Sequence, residues 1–115
     1  MSTISTHVLD TSAGRPAAGV GVTLERLDAA GPDPVSLGGG VTDADGRLRD
    51  PLAAGAPLGE GTYRLRFDVG DYFARGGRAA FYPEVVVCFL VGARDEHYHV
   101  PLLLSPYGYS TYRGS

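Results

Sequence analysis

Three histidines, a set of arginines and an aromatic C-terminal run are the residues of this 115-residue chain best suited to chemistry. His97 and His99 stand two apart. Alternate side chains of an extended strand share a face, so both rings point away from Tyr98, Val100, Leu102 and Leu104. Two imidazoles at that spacing can hold a metal ion. No cysteine and no carboxylate pair completes such a set except Asp95 or Glu96, so two solvated polar residues on an outer face is the preferred reading, and no metal is assigned. His7, alone among small polar residues of the first strand, reads by itself as a structural histidine. Arg47 follows an Asp-Gly turn and by itself reads as a solvent-facing charge. Cys88 sits in the apolar run from Val85 to Val91 and is read as core rather than nucleophile. Ser12, Ser36 and Ser105 have no nucleophile-elbow context, and Glu84 after Pro83 reads as a strand-start charge. The run Tyr107-Gly108-Tyr109-Ser110-Thr111-Tyr112 leads into Arg113-Gly114-Ser115. An alternating aromatic stretch is expected to end inside a sheet, so Arg113 and Ser115 are expected to be held and to form part of a site.

Composition narrows the classes of function. The chain carries a net charge of -3, and all ten of its cations are arginine; it has no Lys, Asn, Gln or Trp. A Schiff-base lysine is thereby excluded. Scattered arginines on an acidic chain leave no nucleic-acid footprint. One cysteine permits neither an intramolecular disulfide nor a cysteine zinc cluster. The longest apolar run is far short of a membrane span, and the first residues lack the basic start and apolar run of a signal peptide. The expectation is a soluble cytoplasmic protein of one domain, residues 1–115, large enough for a real core.

The elements that must position these residues are short strands between turns. Ile4 to Leu9 is the first. Val20 to Leu27 follows, with Val20, Val22 and Leu24 on one face. Val35 to Thr42 is weaker, thinned by Gly38-Gly39-Gly40. Asp43-Ala44-Asp45-Gly46 is a turn by its chemistry, with a short strand after it from Arg47. The cleanest strand places Tyr63, Leu65, Phe67 and Val69 opposite Thr62, Arg64, Arg66 and Asp68. Asp71 to Arg75 is the one helix, capped by Asp68 or Asp71 and ended by Gly76-Gly77. Glu84 to Val91 reads as a strand buried on both faces, His97 to Leu104 as another strand, and Gly108 to Arg113 as the last. Pro101 lacks an N–H, so its strand must be edge-like or bulged there. Seven or eight strands and one short helix predict an all-β sandwich.

Longer motifs go further. Thr6-His7-Val8-Leu9-Asp10, Asp45-Gly46-Arg47, His97-Tyr98-His99-Val100-Pro101-Leu102-Leu103-Leu104-Ser105-Pro106 and above all the terminal Tyr112-Arg113-Gly114-Ser115 resemble the hydroxyisourate hydrolase branch of the transthyretin-like proteins. Phe67-Asp68-Val69 with Tyr72-Phe73 resembles that family's entry into its helix. The likeness covers essentially the whole chain. Its one small departure is Asp43, where the family often has Asn, and Asp serves the same turn.

The resemblance implies a Greek-key sandwich of two four-stranded sheets with one short helix. It also implies a homotetramer built as a dimer of dimers, with active sites in the channel between dimers. The implied reaction is hydrolytic opening of 5-hydroxyisourate in urate breakdown, without cofactor or metal. The implied catalytic residues are His7, Arg47, His99 and Ser115, with Tyr112, Arg113 and Gly114 binding substrate. In that scheme His7 and His99 activate water and shuttle protons, while Arg47 and Arg113 disfavour an imidazolium. The Arg47 fork would hold the oxygens of a planar heterocycle, and Ser115 would orient substrate, water or a histidine through its hydroxyl and the terminal carboxylate. The alternative is a transthyretin-like binding module for small aromatic ligands, which needs no His-Arg-His set.

Overall fold

The computed structural model describes residues 2–27, 31–49, 51 and 58–115. Among them, nine strands and one helix follow in order: β1 (Thr3–Asp10), β2 (Arg15–Pro16), β3 (Gly21–Arg26), β4 (Val35–Val41), β5 (Arg47–Leu48), β6 (Gly61–Asp68), α1 (Val69–Arg75), β7 (Val85–Val91), β8 (His97–Ser105) and β9 (Gly108–Thr111). One sheet has the order β4-β3-β6-β7. The other runs β2-β1-β8-β9, with β5 also paired to β1. The sandwich is as expected from the alternation, but this second sheet has five members rather than four. Of the two short additions, β5 is the strand expected from Arg47, whereas β2, two residues long, is too short for any period to reveal.

Alternation decides which face is core. Tyr63, Leu65 and Phe67 of β6 are fully buried, as are Val8, Leu24 and Leu102 from neighbouring strands, and they form one continuous apolar cluster. Each such side chain contributes about 1.5–3 kcal/mol by leaving water. The strand β8 is central. It pairs in parallel with β1 from Thr3↔His97 to Asp10↔Leu104 and antiparallel with β9 from Leu102↔Thr111 to Ser105↔Gly108.

Pro101 therefore lies on an interior strand rather than an edge-like one, and where a bulge was the other expectation, the ladder breaks beside it. The pair His99↔Gly114 resumes the same register beyond the break, with the Gly114 N–H donating to the His99 carbonyl at 2.8 Å. Hydrogen-bonded and non-hydrogen-bonded pairs alternate in an antiparallel ladder, so the pair opposite Pro101 requires an N–H that proline lacks. The Thr111 hydroxyl instead donates to the Pro101 carbonyl at 2.6 Å.

Two further expectations are corrected. The Val85–Val91 run is not covered on both faces. As β7 it is the edge of its sheet, and Val86, Cys88 and Leu90 point outward. A continuous apolar run does not by itself tell a doubly covered strand from an edge strand with an apolar outer face. Cys88 is accordingly exposed, not core. The helix also begins two residues earlier than expected. The Asp68 carboxylate accepts the Asp71 N–H, which ends β6 and turns Val69, with Phe73, onto the buried side of α1.

At the far end of β1, Asp10 is fully buried. Its carboxylate accepts from Tyr72 Oη at 2.8 Å, Ser12 Oγ at 2.7 Å, the Ala13 N–H at 3.0 Å and the Arg78 guanidinium. Burial pushes this carboxyl up, but the bonds from Arg78, Ser12, Tyr72 and Ala13 outweigh it and hold it far below the usual carboxylate range. This knot ties the helix and the turn after it to β1.

Candidate active site

The outer face of the five-stranded sheet carries the polar residues. Register partners lie on one face of a sheet. The pairs Thr3↔His97, Ser5↔His99, His7↔Pro101 and His7↔Arg47 therefore set all three histidines and Arg47 on the side away from Ile4, Val8, Tyr98 and Val100.

The loop into β5 aims Arg47. The Asp43 carboxylate accepts the N–H groups of Asp45 at 2.9 Å and Arg47 at 3.0 Å. These bonds, that to Arg47 foremost, hold its carboxyl below the ordinary range. Gly46 turns the corner at φ +76°, a left-handed conformation, where a Cβ would run into the Val8 carbonyl. The adjacent Asp45 carbonyl accepts from His7 Nε2 at 2.9 Å. A carbonyl only accepts, so His7 carries its proton on Nε2 and leaves Nδ1 as its lone-pair nitrogen.

His99 is half-buried. Its Nδ1 lies 2.8 Å from Ser5 Oγ. Burial first, then the charges of Arg47, His7 and His97, lower its pKa from 6.5. Arg113, which the resemblance also enlisted, is not among these causes. Against the ring's other side lies Gly114: a Cβ there would stand 2.5 Å from His99 Cδ2, so only glycine fits.

These groups open on a cleft of about 340 Å³ lined by Ser5, Thr6, Arg47, Arg49, His97, His99 and Ser115. A larger hollow of about 460 Å³ on the other sheet offers Arg66, Asp68 and Glu84 but no imidazole. His97 engages both its ring nitrogens, Nδ1 with Thr3 Oγ1 at 2.6 Å and Nε2 with Ser5 Oγ at 2.8 Å. Neither is left for a metal. Among the described residues, no three His, Cys, Asp or Glu side chains are grouped to hold one.

Of the residues expected from sequence, His99, Arg47 and Ser115 line the cleft. His7 borders it beside Arg47, and Gly114 backs it. Tyr112 and Arg113 lie elsewhere. Arg113 pairs with Glu96 at 3.2 Å and stacks over Tyr98 at 4.6 Å, on the sheet's inner side. Both residues border an apolar hollow beside β7. One-residue alternation explains this: when Gly114 faces outward against His99, Arg113 must face inward. Sequence reading missed Ser5, Thr6 and Arg49. The Thr3, Ser5, His7 alternation on the first strand was the available signal, and it pointed to a common face without saying which strand lay beside it.

A family model described as HIUase/Transthyretin family matches residues 4–114. The chain is 51% identical over 119 residues to the 5-hydroxyisourate hydrolase of Caulobacter vibrioides, covering all of both chains. Among solved structures it resembles the Klebsiella pneumoniae 5-hydroxyisourate hydrolase, with a TM-score of 0.86, 43% identity and full coverage of both. It also resembles sea bream transthyretin in complex with thyroxine, with a TM-score of 0.89 and 28% identity over 97% of this chain and 94% of that one.

Proposed function

Because the chain belongs to the HIUase/Transthyretin family, we propose that it is a hydrolase that opens 5-hydroxyisourate, using the cleft between β1, β5 and β8. The observation that carries this reading is the placement of His99, an imidazole held toward its neutral form at a cleft shared with Arg47 and bordered by His7. That set is what ring hydrolysis needs and what a simple ligand carrier does not.

Neutral imidazole accepts a proton near neutral pH. In this scheme His99 or His7 takes a proton from water as its oxygen bonds to a ring carbonyl carbon. The carbonyl oxygen becomes an oxyanion, and the Arg47 fork stabilises the developing charge. The oxyanion then collapses, the C–N bond breaks, and the proton returns to the leaving nitrogen. One water is consumed, and the product is a hydroxy-carboxy-ureidoimidazoline. His7, with Nδ1 open, and His99 divide the base and acid roles. Ser115 orients the ring from the end of the cleft, and Gly114 acts by letting His99 lie flush. Tyr112 and Arg113 border the site in the assembled protein rather than in the lone chain.

We read residues 1–115 as one domain working in the cytoplasm. No helix among the described residues is long and apolar enough to cross a membrane. The assembly is a homotetramer. The open edges of β7 and β9 and the exposed Val86, Leu90, Tyr109 and Tyr112 support it.

The test is the ultraviolet decay of 5-hydroxyisourate generated in place by urate oxidase. Decay well above the spontaneous rate, abolished by Arg47→Ala, is expected. Spontaneous decay with a folded wild-type sample contradicts the reading and leaves a binding module.

A further inference from the structure

Ser5 stands between two imidazoles. Its Oγ is 2.8 Å from His97 Nε2 and 2.8 Å from His99 Nδ1, and Thr3 Oγ1 closes the row at 2.6 Å from His97 Nδ1. The parallel register of β1 on β8 builds this row, because Thr3 and Ser5 lie beside His97 and His99 on one face. Ser5 is buried, His99 half-buried and His97 exposed. The row thus runs along the cleft wall from a half-buried ring to an exposed one.

From this geometry we infer that Ser5 is a positioning residue that couples the two rings, setting the tautomer of His99 and passing its excess proton to His97. This rests on the reading of His99 as a cleft base. A hydroxyl has one proton. Donating it to one ring while accepting from the other gives both rings the same tautomer. With the proton on Nδ1 of each, His99 Nε2 is bare and His97 donates to Thr3. With the proton on Nε2 of each, Thr3 donates to His97 and Ser5 donates to His99.

The first arrangement is the base form. When His99 Nε2 takes a proton from water, its Nδ1 proton passes to Ser5 Oγ as the Ser5 proton passes to His97 Nε2. His99 is then neutral again, with Nε2–H ready to donate, and the positive charge sits on His97. No atom or electron pair is left over: one proton has left water, and the hydroxide has gone to the substrate. The shift is favourable because it moves charge from a half-buried ring beside Arg47 to an exposed one, where water solvates it. His97, which sequence reading set aside as a solvated residue, thereby becomes the outer end of the relay.

The test combines kinetics with long-range proton–nitrogen NMR of the nitrogen-15-labelled protein, which reports the protonated ring nitrogen of each histidine. The wild type should show the same tautomer at His97 and His99. Ser5→Ala should mix the tautomers at His99. It should also lower kcat by about 10- to 100-fold, the scale of losing a group that orients a histidine, with KM little changed. Ser5→Thr, which keeps the hydroxyl, should restore both. Unlike tautomers on the two rings of the wild type overturn the proposal without any variant having to fold. So does a Ser5→Ala protein with unchanged His99 tautomer and unchanged kcat. Matched tautomers that collapse in Ser5→Ala support the coupling even if the protein fails to hydrolyse 5-hydroxyisourate, so the two readings fail separately.

Discussion

An imidazole is useful as a base only while it is uncharged, and the surroundings of His99 keep it so. Its pKa lies below 6.5 because burial and the facing charges of Arg47, His7 and His97 oppose protonation, and Arg49 lines the same cleft. Turnover should therefore hold from neutral pH down through 6.5 and fall only in more acid solution, as a pH profile of kcat/KM will show. The stability link has the same direction. The unfolded chain binds the proton more readily than the folded one. The His99 contribution is fully kept above pH 6.5 and lost as pH falls below it, whereas His99→Asn should flatten that limb in thermal melts. The same substitution should lower kcat by about 100-fold or more while moving Tm by no more than about 4 °C, since the ring is not core. At this scale the sequence was partly legible. Parity turned His99 outward, and the terminal motif marked Gly114 and Ser115. Ser5 was not legible, because its partners lie 92 and 94 residues away and nothing local announces a parallel pairing.

Among the elements, the terminal segment after β9 does more than end a sheet. It skips the pair that Pro101 cannot make and rejoins β8 at His99. Gly114→Ala should push the ring aside, and a displacement of that order costs about 100-fold in rate; circular dichroism should show the fold retained. At the other end of β1, Asp10→Ala should cost about 3 kcal/mol in chemical denaturation, because it strips Tyr72, Ser12 and Arg78 of their shared acceptor. Strong alternation made β6 readable to within one residue at each end, and its apolar face is the core; Val69, expected as its last apolar position, instead opens α1 because Asp68 caps the helix there. Uniform apolarity made β7 misleading, since a run without alternation does not say how many of its faces are covered. Of the two-residue strands, β2 carried no pattern, whereas β5 was expected from the turn before Arg47, and it is what brings Arg47 beside His7.

For the whole molecule, the sandwich brings the two ends of the chain together: β1 and β8 share the site, and Gly114 and Ser115 close it. The outer face of β7 and the open edges of both sheets fit the proposed tetramer. Light scattering should give four times the monomer mass of 12.1 kDa, and Leu90→Arg, at a position three-quarters exposed in the single chain, should lower it. The sandwich class followed from turn spacing and alternation, whereas which strands pair across the sequence did not, because register is a tertiary property. In the proposed function, the outer sheet face with His99 and Arg47 hydrolyses 5-hydroxyisourate. The most direct measurement is the decay of freshly generated 5-hydroxyisourate with equal amounts of wild-type and His99→Asn protein, both verified as folded. Fast decay with the wild type and the spontaneous rate with the variant is the predicted result; equal rates from the two proteins would contradict it.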